Sequence, residues 1–161
     1  MVVLLHSIRI VSSHRPLPGE IVPQLYIEPE EEYKRAKCIE FSDNLKHAGT
    51  LVTHRSQLEN PRLPAPFGAT GATQTIAITW PGYHETALYV TGGDYELSEL
   101  ANAVNAELLR FRLLMQKKTC TDLSWRLLPA DTLWLLELRP IAHGLWQAVL
   151  CRRRNHSEII P

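Results

Sequence analysis

The residues of this chain that could do chemistry are few and scattered. Cys38, Cys120 and Cys151 are widely separated and odd in number, which makes neither a disulfide framework nor a CxxC metal site. His47 and His54, with Cys38 upstream, would need a fourth ligand to hold zinc, and their spacing does not suggest a tetrahedral site. They are read as surface histidines. Cys120 or Cys151 with His143 could form a thiol and imidazole nucleophile pair, yet Cys151 lies in a Trp- and Leu-rich stretch and is expected to be a small buried hydrophobe. Asp94, Glu96 and Glu99 could pair carboxylates for acid–base work, but acids at the start of a helix are already explained by its positive end. Gly68, Gly71, Gly92 and Gly93 lack the following Gly-Lys-Ser or Gly-Lys-Thr of a phosphate cradle, and there is no GxSxG elbow. No catalytic, metal-binding or cofactor-binding residue is assigned, and the chain is read as non-enzymatic. Arg152, Arg153 and Arg154, with Trp146 and His156 nearby, are the one concentrated basic patch. Their chemistry would be contact with a phosphate backbone, set against the plainer reading of a solvated strand end.

The elements that must position these residues are clearest over residues 75–115. Ile76 and Ile78 alternate with Thr and Ala, Pro81 and Gly82 make a turn, and a similar alternation around Ala87 and Tyr89 predicts a second strand. After Gly92 and Gly93 the apolar period changes from two to about 3.6. Leu97, Leu100, Ala101, Val104, Leu108, Phe111 and Met115 then fall on one face of a single amphipathic helix over 97–115. Further strands are expected at residues 2–11, 21–27, 37–41, 50–54, 123–128, 132–139 and 145–152, the last three as antiparallel neighbours carrying Trp125, Trp134 and Trp146. Residues 28–32 form a solvated acidic loop, and residues 140–144 a turn. The Pro- and Gly-rich stretch 59–72 has no strand or helix period and is expected to be a surface loop or extended contact arm. About eight or nine short strands with one helix predict a mainly β fold, an antiparallel sandwich of jelly-roll type with the helix in a connection. An α+β sheet with one packed helix is the competing fold.

Composition bounds the rest. A chain of 161 residues, 45% hydrophobic and 21% charged, can bury a core, and is read as one domain with arms at 1–20 and 152–161. Seventeen basic residues balance seventeen acidic ones, so there is no global attraction to nucleic acid or to a membrane surface. The first fifteen residues have an apolar run broken by His6 and Arg9, with no basic region before it, and no run of eighteen apolar residues occurs. Neither a signal peptide nor a membrane span is expected.

The strand-to-helix segment also carries a resemblance. Gly93 and Tyr95, followed by Leu100 and Asn105 on the helix, resemble the Gly-x-Tyr and helical Leu and Asn of single jelly-roll capsid proteins of double-stranded DNA viruses, similar to the adenovirus penton base and related minor capsid proteins. Ser12, Ser13 and Arg15, with the apolar run at 25–27, resemble the opening of some of those proteins. The chain departs from the pattern at Glu96, where those proteins carry Ser or Thr, so Asp94 or Ser98 is expected to cap the helix instead. In this reading Gly93 needs a positive φ or a close backbone approach, Tyr95 is largely buried, and Asn105 ties the turn at 92–95 to the helix. The resemblance implies a structural virion protein, penton-like or a minor capsid component. It would be made in the host cytoplasm or nucleus and act by contact with copies of itself, in a pentamer if penton-like, and with a major capsid protein. A phage-like tail or baseplate subunit is the first alternative. A small nucleic-acid-binding module using Arg152, Arg153 and Arg154 is the second, and an enzyme of unrecognised kind the last.

Overall fold

The computed structural model describes residues 17, 19–23, 27–42, 48–52, 58–81, 83, 86–118 and 132–153, with backbone only at 86–89 and 91. The strands expected at 2–11 and 123–128 lie outside the described residues, as do Ser12, Ser13, Arg15, His47, His54, Cys120, Trp125, Arg154 and His156.

The core of the sheet is a hairpin of two apolar strands, β8 (Leu133–Ala142) and β9 (Leu145–Arg152), paired antiparallel. Their sequences, LWLLELRPIA and LWQAVLCR, are nearly continuous apolar runs because both faces are covered. His143 and Gly144 close the hairpin; Gly144 takes a φ of 70°, which a two-residue turn requires. Strand β8 runs through Pro140 to Ala142, so the turn is shorter than the expected 140–144. Pro140 is tolerated because it stands beside a bulge and past the last residue that an outer strand pairs with.

Short strands line the two sides of this hairpin. Strands β2 (Ile39–Glu40) and β3 (Thr50–Leu51) both pair antiparallel with β8. On β9, β1 (Glu20–Ile21) pairs antiparallel with one end, and β5 (Thr73–Ile78) runs parallel to the other. Strand β6 (Thr86–Thr91) pairs antiparallel with β5 and completes a sheet whose main path is β2-β8-β9-β5-β6. The β5–β9 pair is the parallel exception to an otherwise antiparallel sheet. A crossover through β6 and the helix joins its two strands, as parallel neighbours need.

The helix α1 (Leu97–Met115) has the bounds that the 3.6-residue spacing predicts. Leu100, Ala101, Val104, Leu108, Phe111 and Met115 are buried in the main core with Ile76, Ile78, Leu135, Leu138 and Leu150 from one face of the sheet. A smaller cluster of Ala48, Trp134, Leu136, Val149 and Cys151 covers the other face. The protein is thus mainly β, with antiparallel sheets and one long helix; jelly-roll connectivity is not shown among the described residues. A helix laid across one sheet face is the layering of the α+β alternative.

The Pro-rich stretch is not a free arm. Within it β4 (Pro64–Ala65) pairs with β7 (Tyr95–Glu96), and Ala65 and Phe67 are buried in the main core. Two apolar side chains spaced by a proline gave no period to see. No helix among the described residues is long and apolar enough to cross a membrane.

Candidate functional site

The strand-to-helix unit that carries the resemblance is held from below by the Pro-rich loop. Glu96 is the N-cap of α1, in extended backbone, and its N–H donates to the Glu99 carboxylate at 3.0 Å. Leu97 N–H donates to Leu63 O at 2.8 Å, and Ser98 N–H to Pro61 O at 3.0 Å. The free donors of the first turn are thereby satisfied by Glu99 and by two loop carbonyls. The expected cap at Asp94 or Ser98 is corrected: Glu96 caps the helix, so the absent Ser or Thr leaves no gap.

Gly93 does not need to be glycine on the grounds expected. Its φ lies outside the left-handed region, and a Cβ there would meet only Tyr95 Cε2, at 3.7 Å. The close approach is one residue earlier: a Cβ on Gly92 would stand 2.7 Å from both Ala69 O and Ala72 O. Tyr95 is half-buried against the core, edge-on to Phe67 with ring centroids 5.9 Å apart. Phe67 in turn packs on Trp146 at 5.7 Å, and Trp146 Nε1–H donates to Gln74 Oε1 at 3.1 Å. Leu100 is fully buried. Asn105 is buried too, but its Nδ2 donates to Leu51 O in β3 at 3.4 Å and not to the 92–95 turn, while Oδ1 has no partner. The structure therefore places Tyr95 and Leu100 in the same main core and ties Asn105 to β3.

The basic cluster is split. Arg152 Nη2 bonds the Glu20 carboxylate at 3.1 Å across the β1–β9 pair, with most of its side chain covered, and Arg153 is exposed. That carboxylate competes for the guanidinium that the sequence offers as a phosphate contact. Cys151 is fully buried, and burial pushes its thiol up to about 12, so no thiolate is on hand to pair with His143, which is exposed. No group of three or more His, Cys, Asp or Glu able to hold a metal ion occurs among the described residues.

A polar group that sequence reasoning missed lies in the middle of β8. Glu137 is 1% exposed, and no N–H donates to either carboxylate oxygen; the Cys38 thiol is the weak donor beside it. A bulge between Leu135 and Glu137 shifts the alternation, so Glu137 falls opposite Val149 on the face of the smaller cluster. Its other neighbour in register is Glu40 of β2. Burial first, and the Glu40 charge second, push its carboxyl up to about 7; Cys38 and Arg139 draw it down by less. The half-buried Cys38 thiol is pushed up to about 12 by burial and by the Glu137 charge. The signal was present as one acid inside LWLLELRPIA, where an isolated carboxylate is costly to bury.

No protein family, curated protein or solved structure matches this chain. The geometry offers packing surfaces and, across β2 and β8, the buried Glu137 carboxyl facing the half-buried Glu40.

Proposed function

We propose that this is a structural virion protein, penton-like or a minor capsid component, that works by assembly with copies of itself and with a major capsid protein. The observation that supports this reading best is the character of β6. It ends the main path of the described sheet, and its six residues, TALYVT, contain no charge and no proline. Those are the guards that keep a sheet edge from pairing with another chain. Strands at the opposite side, β2 and β3, are two residues long and offer little ladder.

The jelly-roll form belongs to the same proposal. Its support is the sheet covered on both faces and the single helix set in the connection between β6 and β8. Against the nucleic-acid alternative stands the Arg152–Glu20 bond, which gives one of the three arginines a carboxylate partner and covers most of its side chain. Light scattering of the purified protein, at low and moderate salt with nucleic acid removed, tests the function. A discrete oligomer insensitive to salt is expected; a monomer at every concentration overturns self-association.

A further inference from the structure

The geometry points to a proton-operated latch at the β2 edge: with Glu137 protonated, the segment carrying β2 stays docked on β8, and with Glu137 ionised opposite Glu40 that segment opens. The inference goes beyond the assembly reading and does not depend on it.

Three observations carry it. Glu137 is 1% exposed, no N–H donates to either of its oxygens, and the weak thiol donor Cys38 is the hydrogen-bonding group beside it, so little in the fold replaces the water that an ionised carboxylate loses. Register sets it directly across from Glu40, and like charges facing each other on adjacent strands repel. The strand that must absorb this repulsion is among the shortest in the sheet, two residues held at Ile39 and Glu40 and continued by Phe41 N–H donating to Leu136 O at 3.0 Å.

The described charged and titratable groups around Glu137 are these. Glu40 and Cys38 face it from the β2 segment, and Arg139 follows on its own strand. Strand β9 presents Val149 and the neutral Gln147, and β3 the neutral Thr50 and Leu51. Exposed Glu30, Glu31 and Glu32 lie at the far end of β8, where Glu30 N–H bonds Ile141 O at 2.8 Å. Arg139 is thus the one cation of the set, and its pull on the Glu137 carboxyl is smaller than the push of burial and of Glu40.

Burial and Glu40 place the Glu137 proton loss near neutrality, at about 7 against an ordinary 4.5. The docked state therefore holds a proton that the opened state has lost between those values. Linkage then makes opening more frequent by up to about tenfold per pH unit across that window, and level above it. Hydrogen exchange of the full chain, corrected for intrinsic rates and resolved at Ile39, Glu40 and Phe41, reads this directly.

Protection there is expected to fall as pH rises from about 5 to about 7, while protection in α1 holds. Glu137→Gln should remove the fall, and Glu40→Gln, by taking away a charge that raises the Glu137 carboxyl, should weaken it and end it at lower pH. Protection that is flat with pH in the unmodified protein, or a fall unchanged in the folded variants, overturns the latch. Should Glu137→Gln fail to fold, Glu40→Gln alone decides, since its carboxyl is only half-buried at the sheet edge.

Discussion

Gly92 carries the packing constraint that the sequence pattern assigned to Gly93. With Ala69 O and Ala72 O each 2.7 Å from where its Cβ would be, Gly92→Ala should destabilise the fold by about 1–3 kcal/mol. Gly93→Ala should stay within about 0.5 kcal/mol, and denaturant melts of the two variants separate them. Two adjacent glycines look alike in a sequence, because the contact that tells them apart comes from a loop twenty residues away by chain. Glu137 illustrates the same limit, since strict alternation puts it on the Leu135 face and only a bulge moves it. Its effect on global stability has a definite sign. The fold raises its carboxyl from 4.5 to about 7, so the folded protein keeps a proton that the unfolded chain has released between those values. Stability therefore falls as pH rises through that window and is level above it, and Glu137→Gln should flatten this slope, with a gain at pH 8 of at most about 3 kcal/mol. Chemical denaturation at pH 5 and pH 8 measures both slopes.

Helix α1 was legible to the residue, because a 3.6-residue apolar period over five turns leaves no competing strand pattern. The hairpin of β8 and β9 was legible for a similar reason, as two long apolar runs around a glycine turn. What escaped was the work of residues 59–72, where the backbone and not the side-chain pattern does the joining. Pro61 and Leu63 act through their carbonyls on the first turn of α1, and Phe67 acts through its ring in the corner with Tyr95 and Trp146. The two kinds of contribution respond differently to substitution. Leu63→Ala removes a side chain that is 55% exposed and leaves the carbonyl, so stability should change by less than about 0.5 kcal/mol. Phe67→Ala empties a fully buried site and should cost about 3–5 kcal/mol, with loss of the Trp146 near-ultraviolet signal if the corner opens. Thermal melts followed by near-ultraviolet dichroism distinguish these outcomes. The proposed latch belongs to this scale also, since it concerns one short strand and not the sheet as a whole.

For the whole molecule the balance of charge decides between the two kinds of partner. Seventeen basic and seventeen acidic residues give no net field to draw a polyanion, and Arg152 is drawn into the sheet by Glu20. An uncharged edge strand works in the opposite sense, because pairing through backbone hydrogen bonds gains little from charge and loses little to salt. Self-association through a sheet edge should therefore persist from low to moderate salt, whereas binding through phosphate contacts would fall steeply over the same range. Arg153→Ala sharpens the contrast: Arg153 is exposed at the end of β9, where its backbone N–H bonds Thr132 O and its side chain is dispensable to the strand. The variant should keep the oligomer mass and the melting curve of the parent. If it instead abolished a salt-sensitive association with single- or double-stranded nucleic acid, the assembly reading would give way to the binding module. Light scattering and a fluorescence-anisotropy titration on the same two proteins, parent and Arg153→Ala, separate the readings: assembly gives an oligomer of the same mass in both and no nucleic-acid binding in either, whereas the binding module gives an anisotropy change in the parent that the variant loses.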